Sequence, residues 1–127
     1  MDLALWISAW VLAVVALVGG VGKAFVPKEK LAAVHGGGWT EGVGARSVKV
    51  LGVLELLAAV GLVLPALLDR APVMVPVTAA CWVLLMIGAM ATHGRRREFA
   101  FVALNLAYLA LAAFIAWGRF GPEPFTG

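Results

Sequence analysis

Apolar residues fall in four long runs separated by short polar stretches: Leu3–Gly22, Val50–Leu68, Ala71–Ala91 and Phe99–Gly118. Each run holds about the ~20 residues that a helix needs to cross a ~30 Å hydrocarbon core. None shows the polar stripe of a soluble amphipathic helix, so none has a face for water. The pattern predicts an all-α chain: a four-transmembrane-helix bundle forming one membrane domain over residues 1–127. The helices are expected near 3–22, 46–68, 71–92 and 98–118, with a long interfacial loop at 23–45. Within that loop Pro27 fits the first position of a short surface helix reaching Val34. His35-Gly36-Gly37-Gly38-Trp39 then reads as a tether ending in an aromatic anchor, or as a lid over the mouth of the bundle.

Composition agrees with the pattern. At 63% hydrophobic and 13% charged residues, the 127-residue chain does not have a soluble composition. The basic residues sort by membrane side. Lys23, Lys28, Lys30, Arg46 and Lys49 lie between the first two runs and Arg95, Arg96 and Arg97 between the last two, against Arg70 and Arg119 on the other side. By the positive-inside rule both basic loops face the cytoplasm and both termini lie outside. The charge excess therefore reports topology, and nucleic acid is not an expected partner. Trp6, Trp10 and Trp117 fall at one level near the outer surface, where indole rings favour the headgroup zone. Asp2 stands where a signal peptide would be basic, so the first run is expected to stay as a helix. Cys81 is the single cysteine, which leaves no disulfide or dithiol relay within one chain.

Glu55 is the one charge between Val50 and Leu68, about 9 Å in from Lys49 at ~1.5 Å per residue. A carboxylate at that depth is costly and marks a candidate site. Lys49 stands about 240° round the helix from Glu55, so the partner must come from another helix. Lys23, Thr92, His93, Glu98 and Asn105 lie at similar depth in the cytoplasmic half. The third helix places Thr78, Cys81, Leu85, Gly88 and Thr92 on one face, and the fourth aligns Glu98, Phe101, Asn105, Tyr108 and Ala112. Glu55 and His93 are the candidate acid–base residues, and Lys23, Thr92, Glu98, Asn105 and Tyr108 the candidate ligand-binding ones. No His, Cys or carboxylate spacing of a metal or haem site is present. In the first helix Ala9, Ala13, Ala16 and Gly20 form a narrow stripe expected to face protein rather than lipid.

Gly22-Lys23, then Lys49-x-x-Gly52-x-x-Glu55-Leu56 with Gly61-Leu62-x-x-Pro65, and Asn105 together resemble the DoxX-like family over nearly the whole chain. The resemblance implies a small, multi-pass protein of a bacterial plasma membrane tied to redox chemistry, the family name being shared with subunits of quinone-coupled oxidation systems. Two functions follow as expectations. In one, the chain is a membrane component of a redox system, binds a quinone or isoprenoid in a polar pocket on the cytoplasmic side, and docks an oxidoreductase or a second copy of itself. In the other it is a cofactor-free enzyme, an isomerase, cyclase or epoxide-opening enzyme, with Glu55 as acid or base. Neither calls for a resident cofactor beyond a bound quinone.

Overall fold

A computed structural model describes residues 1–33 and 37–125. It is all-helical over them: α1 Asp2–Phe25, α2 Lys28–Ala33, a 3-10 turn Gly38–Gly42, α3 Ala45–Leu67, α4 Met74–Arg95 and α5 Phe99–Phe120. Helices α1, α3, α4 and α5 are long and apolar enough to cross a membrane. Their outward residues are aliphatic, with Val18 68%, Leu57 61% and Leu84 70% exposed, as a surface solvated by lipid requires. The chain is an integral membrane protein. The surface helix stops at Ala33 within the described residues; its expected extension to Val34 and the first part of the glycine-rich tether lie outside them.

The hairpin turns follow one rule. Helix α4 ends with Arg97 in the left-handed region (φ 58°), the Glu98 N–H donating to the His93 carbonyl (2.9 Å) and the Arg97 N–H to that of Gly94 (3.1 Å). Helix α3 ends the same way on Asp69 (φ 51°), with Arg70 N–H to Pro65 O at 3.0 Å and Asp69 N–H to Ala66 O at 3.3 Å. These paired bonds satisfy carbonyls that a helix end would leave bare in a membrane. Ala71 is also left-handed (φ 48°), which delays α4 to Met74 rather than starting it near residue 71. Pro76 then falls in the first turn of α4, where its missing N–H leaves no bond unmade.

Helix α1 packs most extensively on α3, and α4 on α5. The first pair meets at two glycines. A Cβ on Gly52 would stand 2.5 Å from the Ala24 nitrogen and 2.9 Å from the Gly20 carbonyl oxygen; one on Gly20 would stand 2.9 Å from the Gly52 oxygen. Only hydrogen fits there, and the backbones touch. The small-residue stripe faces protein as expected, with Ala9 at 3%, Ala13 at 7% and Ala16 at 0% exposure.

Beyond that crossing the two ends of the bundle differ. Ala9, Leu12, Ala16, Leu62, Val75, Ala79, Ala112 and Ile115 fill the half nearer the termini with an apolar core. Arg119 seals its rim: the guanidinium donates to Asp2 Oδ1 (2.8 Å) and to the Glu123 carbonyl (3.0 Å), and lies 3.9 Å from the Phe125 ring centroid. The half nearer the basic loops holds the polar residues.

Candidate functional site

The Gly20–Gly52 crossing sets up the site. One helical turn beyond Gly52, Glu55 projects toward α1 beside Gly19, where a side chain is absent; a Cβ on Gly19 would stand 3.3 Å from Glu55 Oε2 and 3.4 Å from Lys23 Nζ. Lys23 lies four residues after Gly19, on the same side of α1. Its ammonium reaches both carboxylate oxygens, at 3.0 Å and 3.2 Å. Glu55 is 7% exposed and Lys23 22% at their side chains, so the pair is largely withdrawn from solvent. Lys49 instead donates to the Ala24 carbonyl (3.3 Å), one of the acceptors left open at the end of α1.

A cavity of ≈ 350 Å³ opens on this pair. Thr92 of α4 and Asn105 of α5 supply its other polar walls, Trp39 lines it from the 3-10 turn, and Leu51, Leu85 and Met86 are among its apolar walls. The Thr92 hydroxyl donates back to the Gly88 carbonyl (2.9 Å). Among the described residues the half-buried Asn105 amide has no hydrogen-bond partner. A Cβ on Gly88 would meet nothing within 4 Å, so this glycine leaves open volume on the α4 wall.

The structure thus brings Lys23, Glu55, Thr92 and Asn105 together and does not bring His93, Glu98 or Tyr108 into the cavity lining. His93 and Glu98 are drawn to each other by the turn that ends α4: Nδ1 lies 2.8 Å from Glu98 Oε1, and the imidazole stacks on Phe101. Arg96 also reaches that carboxylate at 3.5 Å. Tyr108 packs against the apolar core. Besides its apolar walls, the cavity is lined by Trp39 and Gly88, which also stand outside the candidate set read from the sequence. Gly88 shares a face with Thr92 and could have been included on that ground; Trp39 depends on the path of the long loop.

Two of the larger hollows are chemically different. One of ≈ 540 Å³ lies beside Pro72 and Arg119, whose guanidinium is bonded through Nη1 to Asp2 and Glu123 and lies over Phe125, with Nη2 buried and without a partner among the described residues. The other, ≈ 590 Å³ between α3 and α4, is almost wholly apolar. Among the described residues, the Glu55 cavity is the one of these hollows that offers a carboxylate, an ammonium and a free amide at once. Among the described residues, no three His, Cys, Asp or Glu side chains converge as a metal set would.

A sealed half, a polar cavity in the other half and four spans define a small integral membrane protein built around one intramembrane ion pair. The sequence profile of the DoxX-like family matches residues 7–115, and the chain belongs to that family. No curated protein and no solved structure gives a significant match.

Proposed function

We propose that the cavity binds a lipid-soluble molecule with an oxygen-bearing headgroup, of the quinone or isoprenoid class, and that the chain serves as a membrane component of a redox system. One observation carries the proposal: a half-buried amide without a protein partner faces a withdrawn ion pair inside a cavity whose remaining walls, Thr92 apart, are mostly apolar. Lys23 and Asn105 are hydrogen-bond donors, and donors at membrane depth call for acceptors. The two carbonyl oxygens of a quinone supply them, whereas a saturated lipid tail does not. Membership of the DoxX-like family supports the redox setting, through the resemblance to quinone-coupled systems. In this reading the cavity opens toward the cytoplasm of a bacterial cell, and an oxidoreductase or a second copy of the chain docks on the same side.

Binding of decylubiquinone to the purified protein in nanodiscs tests the proposal, with mass spectrometry of the lipids and quinones that co-purify. Asn105→Leu removes the free donor at similar volume and is expected to weaken binding about tenfold, near the upper range of one interhelical polar interaction. Undiminished binding in that variant refutes the assignment of the cavity. Glu55→Gln separates the enzymatic alternative. It keeps the size and one of the two acceptors for Lys23 but carries no exchangeable carboxyl proton, so a binding protein retains its ligand while an acid–base enzyme stays folded and loses turnover.

A further inference from the structure

We infer that the ligand's apolar tail lies in the groove between α3 and α4, and that the ligand reaches the cavity sideways from the bilayer along it. The inference rests on the function proposed above. Groove and cavity adjoin, with Leu51, Leu84 and Leu85 lining both. Thr78, Cys81 and Leu85 carry the α4 face along the groove, and Leu85, Gly88 and Thr92 continue it into the cavity. On α3 the lining runs from Leu51 through Leu54 and Ala58 to Gly61, about 15 Å at ~1.5 Å per residue.

Each end of the groove is defined. At the far end α3 and α4 close together: a Cβ on Gly61 would stand 2.5 Å from Thr78 Oγ1. The near end adjoins the polar cavity, on whose α4 wall Gly88 adds no side chain. Along its flank the groove faces lipid, with Leu54 55%, Leu57 61% and Leu84 70% exposed. Its one hydroxyl, on Thr78, is internally bonded to the Met74 carbonyl at 2.6 Å, and the one donor without a partner among the described residues of the lining, Trp82 Nε1, is buried rather than presented to the trough. A polar chamber at one end of an apolar trough suits an amphiphile with an oxygen-bearing head and a decyl-length tail. Hydrocarbon surrounds the groove in any case, so the tail gains no transfer energy by leaving the bilayer. What holds it is packing against a fixed trough, and selection is by shape.

Three probes test this on the full chain in phosphatidylcholine nanodiscs: decylubiquinone, the same benzoquinone without a tail, and decylubiquinone bearing a diazirine at the tail end. Cys81 is exposed and lines only the groove, so Cys81→Trp fills the trough without overpacking the core. The variant is expected to weaken decylubiquinone binding about fivefold while the tail-less compound changes less than about twofold. Gly88→Leu, at the junction, is expected to weaken both. Photolysis is expected to place adducts on residues 54–61 and 77–82. An equal effect of Cys81→Trp on both compounds, or no effect on either, overturns the inference, as do adducts confined to lipid-facing residues elsewhere, such as Val14, Val18 or Leu106. If neither benzoquinone binds the unmodified protein, the proposed function itself fails. Binding of both without groove adducts refutes the tail path alone.

Discussion

Replacing Lys23 by Met removes the ammonium that holds the Glu55 carboxylate and leaves the rest of α1 apolar. At the observed 3.0 Å the Coulomb attraction is about 5.5 kcal/mol for an effective dielectric near ~20. Withdrawing both ions from water offsets most of this, so the intact pair contributes little net stability. The asymmetry decides the outcome. Losing one partner leaves a buried charge uncompensated at about 3–5 kcal/mol, and the 22% exposure of Lys23 beside the cavity puts the expected loss at the lower end. Lys23→Met is therefore expected to destabilise the bundle by about 3 kcal/mol, whereas the double variant Lys23→Met/Glu55→Gln recovers most of that loss. Unfolding free energies of the two single variants and the double variant, measured by steric trapping in bicelles, give the coupling directly. If Lys23→Met unfolds like the unmodified protein, or if the two single losses add within about 0.5 kcal/mol, the pair is not the electrostatic unit described here.

Gly52→Ala is expected to cost about 1–3 kcal/mol by forcing α1 and α3 apart, whereas Gly88→Ala, whose added carbon meets nothing, leaves stability within about 1 kcal/mol of the unmodified protein; thermal melts in detergent compare them. Ala16 is 0% exposed, and Ala16→Leu is expected to lower stability by about 1–3 kcal/mol through overpacking; a melt matching the unmodified protein refutes this. With Cys81 replaced by Ala, single cysteines at positions 39 and 125 are expected to be labelled by an impermeant maleimide from the cytoplasmic and outer sides respectively; the reverse pattern overturns the positive-inside topology.

Much of this architecture was legible in the sequence because a membrane enforces it locally. A run of about 20 apolar residues has to be a helix, since no other single segment satisfies its own backbone in hydrocarbon. Glu55 was equally plain, being the one charge in its run, and angular position alone excluded Lys49. Which helix supplies the partner was not readable, because four apolar helices can pack in several orders with similar periodicity. The Gly19, Gly20 and Gly52 cluster decides it by letting α1 and α3 touch. His93 shows the opposite case. Its depth matched the site, but the left-handed Arg97 reverses the chain and hands its imidazole to Glu98, a contact set by backbone dihedrals that composition does not reveal. Trp39 reaches the cavity from the far end of a long connection, so no periodicity could place it.

The sealed half of the bundle also has an electrical consequence. Leu5, Leu12 and Ile115 are fully buried on that side and Arg119 is strapped to Asp2, while Lys23 sits two residues from the opposite end of α1. Moving one charge fully across a membrane is worth about 2.3 kcal/mol per 100 mV. Glu55 lies about 9 Å in from Lys49, so a proton exchanged there from the basic-loop side would cross about a third of that field. If the proposed ligand exchanges protons at Glu55 through that side, polarising or depolarising the membrane changes the driving force by less than about 1 kcal/mol per 100 mV.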